Sequence, residues 1–147
     1  MTKSLPAASA ALMLTMLSTP TVAACGSTTA TSRPEEVVQA QVVAYNAHDA
    51  DAFADCYADD ARLAGLTGKR PPIEGKAAIR RAYASLFAGE PKGFGVDILK
   101  RTVSGAIVVD LERTHGLPAG KQLPDSFAVY EVRDGRIANV WFPPASR

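Results

Sequence analysis

The chain has 147 residues, 47% of them hydrophobic and 21% charged, with a formal net charge of +1 at neutral pH. That is the size of one domain with an adequate core. Its basic residues gather into nothing larger than the pairs Lys69-Arg70, Arg80-Arg81 and Lys100-Arg101, which excludes the electrostatic footprint of a nucleic-acid binder.

Residues 1–24 read as an export signal. Their only charge is Lys3, followed by the apolar run Ala7 to Leu17, too short to span a bilayer. The run ends in Val22-Ala23-Ala24-Cys25-Gly26, which resembles a bacterial lipobox and makes Cys25 a candidate for lipidation. Three readings stay open: a lipid-anchored envelope protein, a soluble secreted or periplasmic protein cut after Ala24, and a mis-assigned start. Removing residues 1–24 takes one lysine and no acid, so the remainder is formally neutral. Any membrane attachment would then come from the acyl chains alone. Residues 25–33 are expected to form a small, polar, flexible tether. Cys56, the second cysteine, reads as a small buried core residue, with a Cys25–Cys56 disulfide as the alternative if Cys25 is not acylated.

The folded domain is expected over residues 34–147. Ser32 is placed to cap a first helix, with Pro34 in its first turn and Glu35 at its third position. Val38, Val42 and Tyr45 then give one apolar face to about residue 47. Asp49 caps a second helix carrying Phe53, Cys56 and Tyr57, which Asp59-Asp60 ends. Ala61 to Leu66 is a first short strand, and the glycines and prolines up to Pro72 make a loop. A third helix follows Gly75, with Ile79, Ala82, Tyr83, Leu86 and Phe87 on one face, stopped by Gly89 and Pro91.

From Gly95 the period becomes two. Strands are predicted over 95–103, 106–114, 126–133 and 136–142, with hairpin signals at Ser104-Gly105 and Asp134-Gly135. Helices first and a meander afterwards indicate an α+β fold, three N-terminal helices packed on a curved, mostly antiparallel sheet. The last two strands carry apolar residues on both faces, with Phe127 and Val129 opposite Tyr130 and Val132, and Ile137 and Trp141 opposite Val140 and Phe142. Helices can cover one face only, so a homodimer through the other is expected.

Three phrases carry a family resemblance: Ala44 to Leu63 (AYNAHDADAFADCYADDARL), Glu74-Gly75-Lys76-Ala77-Ala78-Ile79-Arg80, and Tyr130 to Ile137 (YEVRDGRI). Through them the chain resembles the nuclear transport factor 2-like superfamily, in particular its SnoaL-like branch, over residues 34 to 142. The resemblance implies a cone-shaped sheet around the helices with an apolar pocket at its open end. It does not fix a reaction, since this fold hosts isomerases, cyclases, dehydratases and modules that only bind.

The isomerase branch implies three positions: a tyrosine that falls at Gln41, a carboxylate base that falls at Gly65, and a protonated aspartic acid that falls at Asp125. Only Asp125 matches. It is the candidate acid/base if its carboxyl sits in an apolar cavity with a raised pKa, and a solvated strand-end carboxylate otherwise. Asp110 and Glu112 alternate on one strand face, and count only if that face lines the pocket. His115 is either a pocket base or an exposed loop histidine. Tyr45, Tyr57, Tyr83 and Trp141, with Gln41, are the remaining candidate pocket residues, because buried polar tips need partners. No phosphate loop, serine-hydrolase elbow or zinc-protease motif is present, and the cysteines and histidines lack ligand spacing, so neither a cofactor nor a metal is expected. Two function classes remain: a binder of a small apolar molecule or accessory module, and a cofactor-independent isomerase, cyclase or dehydratase. Two or more convergent polar groups in a closed pocket would favour the enzyme.

Overall fold

The computed structural model describes residues 24–144, so all of the expected signal segment but Ala24 lies outside the described residues. Helix α1 (Pro34–Asn46) opens differently from the sequence reading. Its N-cap is Arg33, and the Glu36 carboxylate accepts from the Arg33 backbone N–H at 3.1 Å. Ser32 is turned outward and accepts from the Thr29 N–H instead, at 2.9 Å. Asp49 caps α2 (Ala50–Asp55) as its position demands, accepting from the N–H groups of Asp51 and Ala52.

Helix α2 stops at Asp55, earlier than the Asp59-Asp60 signal, because the Cys56 carbonyl accepts from Ile137 N–H at 2.8 Å. That bond draws the chain straight into strand β1 (Tyr57–Gly65). The expected loop after β1 contains a two-residue strand, β2 (Ile73–Glu74), paired with Arg62 and Leu63. Helix α3 (Lys76–Gly89) follows. The meander is β3 (Gly95–Ser104), β4 (Ile107–His115), β5 (Ser126–Arg133) and β6 (Arg136–Phe142). Six strands form one mixed sheet in the order β2-β1-β6-β5-β4-β3, with β1 parallel to β6 and all other pairs antiparallel.

Strand register decides which side chains face the helices. Val108, Asp110 and Glu112 of β4 oppose Tyr130, Ala128 and Ser126 of β5, and this face joins Val37, Val38 and Ile79 of the helices in the core. A bulge between Glu131 and Val132 in the β5–β6 pairing changes the alternation expected for β6. It pairs Ile137 with Val132 and buries it completely in the core, so Ile137 does not share the outer face with Trp141.

Residues 25–33 are not a free tether. Cys25 is 2% exposed and bonded through Sγ to Cys56, with the two Cα atoms 4.7 Å apart. Thr28 donates to the Gly135 carbonyl at 2.8 Å, and Arg136 reaches the Thr28 carbonyl at 3.1 Å. The β5–β6 turn accommodates this docking because Asp134 and Gly135 both have positive φ, 51° and 71°. A side chain at Gly135 would also overlap the Thr29 backbone. The Cys25–Cys56 bridge is the alternative that the sequence reading kept for a Cys25 that carries no acyl group.

Candidate functional site

Between α1, α3 and the inward sheet face lies a cavity of about 120 Å³. Four of its polar groups are residues named in the sequence reading: Gln41 and Tyr45 from α1, Tyr83 from α3, and Tyr57, expected on the second helix, from β1. Two more come from the meander, Glu112 of β4 and Tyr130 of β5. Val42, Leu86, Val96 and Phe142 supply the apolar remainder.

Glu112 is the central group. The Tyr130 hydroxyl donates to its Oε1 at 3.0 Å. Burial pushes its carboxyl up from 4.5 to about 7; the Tyr130 bond opposes this, the nearby Asp110 carboxylate adds to it, and Arg101 opposes it. A carboxyl in this range exchanges a proton near neutral pH in either direction, the property required of a general acid or base. The phenols do the opposite. Burial raises Tyr45 to about 12 and lifts Tyr57, Tyr83 and Tyr130 well above the ordinary phenol value, so all four remain neutral hydrogen-bond donors at any physiological pH.

A buried ion pair supports the carboxyl from below. Asp110 is fully buried and accepts from Arg101 Nε at 2.7 Å and Nη2 at 2.6 Å. Arg101 Nη1 also donates to the Glu35 carbonyl and to Gln39 Oε1, at 3.2 and 3.0 Å, which ties β3 and β4 to α1. Both carboxylates of β4 thus face inward, but with separate tasks. Asp110 is consumed by Arg101, whereas Glu112 has a phenol on one oxygen and the cavity beside it.

Gln41 is 5% exposed, and its Oε1 has no hydrogen-bond partner among the described residues. An unsatisfied buried carbonyl costs about 1–3 kcal/mol, and the residue that carries it is one of those lining the cavity.

The other sequence candidates lie elsewhere. Asp125 is half-exposed at the start of β5 and held bidentate by Arg113, both contacts at 2.9 Å. The Arg113 hydrogen bond lowers its carboxyl below the usual range, the reverse of the raised value expected for a pocket acid. His115 Nδ1 donates to the Gly93 carbonyl at 3.0 Å, just before β3, and the residue does not line the cavity. Trp141 sits on the outer sheet face opposite Val129 and Ala64. Gly65 remains without a carboxylate, and the titratable group is supplied from β4 instead of β1.

Sequence reasoning considered Glu112 without selecting it and passed over Tyr130. A signal existed. Period two from the buried Val108 places Asp110 and Glu112 on the same face, and the β4–β5 pairing then brings Tyr130 alongside. The missing information was which strand face the helices cover.

The SnoaL-like domain family matches residues 38–140. Comparison with curated proteins gives no match. Among solved structures, an uncharacterized cystatin-fold protein from Novosphingobium aromaticivorans is 29% identical, with a TM-score of 0.66 over 76% of this chain and 97% of that one. A candidate polyketide cyclase from Sinorhizobium meliloti is 20% identical, with a TM-score of 0.62 over 76% of this chain and 99% of that one. An epoxide hydrolase from M. tuberculosis, described as LEH-like, is 22% identical, with a TM-score of 0.63 over 75% and 80%. The last two share the fold at identities too low to transfer an activity. With a mixed six-stranded sheet, three α-helices and a family match spanning most of its length, the chain belongs to the SnoaL-like domain family.

Proposed function

We propose that this domain binds a small, largely apolar molecule and moves a proton on it with Glu112, as a cofactor-independent isomerase, cyclase or dehydratase. One observation carries the reading: a carboxyl poised near neutrality lines a cavity together with neutral phenols and Gln41, whose buried carbonyl is unsatisfied. As carboxylate, Glu112 takes a proton from a carbon beside a carbonyl. The negative charge that develops on the carbonyl oxygen is stabilised by a phenol whose proton burial retains, Tyr57 or Tyr83. The proton returns from Glu112 to a second carbon or to a leaving hydroxyl. Two relatives with this fold, named as a candidate polyketide cyclase and an epoxide hydrolase, are in keeping with a small-molecule pocket. The test is deuterium exchange: cyclic ketones and enones incubated in heavy water and followed by NMR. Exchange above buffer that disappears in Glu112→Gln supports the reading, while equal exchange in both proteins, or none in either, refutes it.

The protein is exported in soluble form under the same proposal. The Cys25–Cys56 bridge suits an oxidising compartment, and the apolar run Ala7 to Leu17 suits a signal. Self-association through the outer sheet face also belongs here. Leu111 and Phe127 face each other across β4–β5, and Val109, Val129 and Trp141 continue the row, with Phe127 44% exposed.

A further inference from the structure

Tyr83 and Phe142 each line two cavities. The first is the Glu112 cavity. The second, about 540 Å³, opens outward between the C-terminal ends of β1 and β6, the loop before β2 and the start of β5. Its walls are apolar, including Leu63, Ile73, Phe127, Phe142 and Pro144, yet its edge carries Lys69 and Arg70 and no carboxylate. Neither cation takes part in an ion pair among the described residues. Among the described residues Arg33, Arg62, Lys76, Arg80, Arg101, Arg113 and Arg133 have acidic partners, whereas Arg81, Lys92, Lys100, Lys121 and Arg136, like Lys69 and Arg70, do not. What sets Lys69 and Arg70 apart is their place: two adjacent positive charges line an apolar trough whose lining holds no carboxylate.

We propose that the outer trough is the second half of one substrate site, and that the natural ligand is an apolar carboxylic acid whose carboxylate pairs with Lys69 and Arg70 while its other end reaches Glu112. The inference rests on the acid–base reading above for its inner end. Size supports the division of labour: the inner cavity, at about 120 Å³, holds only the reacting end of a molecule, and the trough holds the body. Charge supports the polarity. The inner end offers a carboxyl that would repel an anion once ionised, and the outer edge offers positive charge. An acid therefore enters with its carboxylate outward, which leaves the far end of its carbon skeleton against Glu112 and Gln41. The orphaned Gln41 Oε1 adds a preference for a hydroxyl or other donor near that end.

Octanoate and its neutral counterpart octanamide test this by calorimetric titration of the disulfide-bonded protein. Octanoate is expected to bind about tenfold more tightly at low ionic strength, and the preference should shrink as salt rises toward about 0.5 M, because the cations are solvent-exposed. Lys69→Gln/Arg70→Gln should erase the preference while leaving octanamide affinity within about twofold. Glu112→Gln should keep the preference. Equal binding of acid and amide, a preference that survives the double substitution, or no binding of either compound overturns the proposal. The two readings separate cleanly. Proton exchange lost in Glu112→Gln without an acid preference leaves the catalytic reading standing and removes the ligand class. An acid preference without exchange does the reverse.

Discussion

Replacing Glu112 by glutamine should stabilise the protein in alkaline solution and not in acid. The side chain keeps its shape and can still accept from the Tyr130 hydroxyl, which lies 3.0 Å from Oε1, but it no longer titrates. In the unfolded chain Glu112 loses its proton near its ordinary value of 4.5, whereas in the fold it holds the proton to about 7. Between those two values the native state binds more protons, so stability falls as pH rises through the window and levels off above it. The interval from 4.5 to about 7, at about 1.4 kcal/mol per pH unit, corresponds to about 3 kcal/mol. Below the window the carboxyl is protonated in both states, and the contribution is fully present. Urea denaturation of the oxidised protein and its Glu112→Gln variant, at about pH 4 and about pH 8, reads this directly through the midpoints at constant m. The difference between the two proteins should grow by about 3 kcal/mol in favour of glutamine from the acid to the alkaline condition. Other titrating groups cancel in that difference. A gap that stays constant with pH, or widens in the opposite direction, would refute the buried carboxyl, and the acid–base reading with it.

Asp110→Asn leaves the Arg101 guanidinium without its bidentate partner inside the fold, and should cost about 3 kcal/mol by chemical denaturation, the usual result of breaking one side of a buried pair. Reduction of the Cys25–Cys56 bridge, which spans 31 residues of sequence, should cost about 3–4 kcal/mol in the same assay, a chain-entropy magnitude. Intact mass of the exported protein should show an oxidised cysteine pair and no acyl group, and added acyl mass on Cys25 would contradict the bridge. Light scattering should give twice the monomer mass at micromolar concentration. Phe127→Glu should return it to the monomer mass, since a charge in the apolar row of β4, β5 and β6 opposes its burial.

The element order was legible from local signals. Asp49 caps α2 because its short carboxylate reaches the backbone N–H groups of Asp51 and Ala52 just ahead of it, and Asp134-Gly135 turns because both positions tolerate positive φ. Such features depend on neighbours in sequence, so sequence determines them. Gln41, Tyr45, Tyr57 and Tyr83 were likewise foreseeable in the cavity, because the polar tips of side chains with apolar neighbours must end somewhere shared. Their partner across the cavity was not foreseeable in this way. Whether Glu112 or Asp125 faces inward depends on which sheet face the helices cover and on a pairing register set by residues far away in the chain. Asp125 met Arg113 at an exposed end of the β4–β5 pair, and its pKa moved down instead of up. Ile137 changed faces because one bulge inserted an extra residue, and side-chain alternation with period two reverses on a single insertion. Cys25 found Cys56 because the docked N-terminal segment brought their Cα atoms within 4.7 Å, a distance that spacing in sequence does not encode. The sequence by itself determined the helices, the strands and the family; tertiary structure decided which carboxyl is dry, because desolvation is a property of the assembled layers and not of any residue's neighbours along the chain.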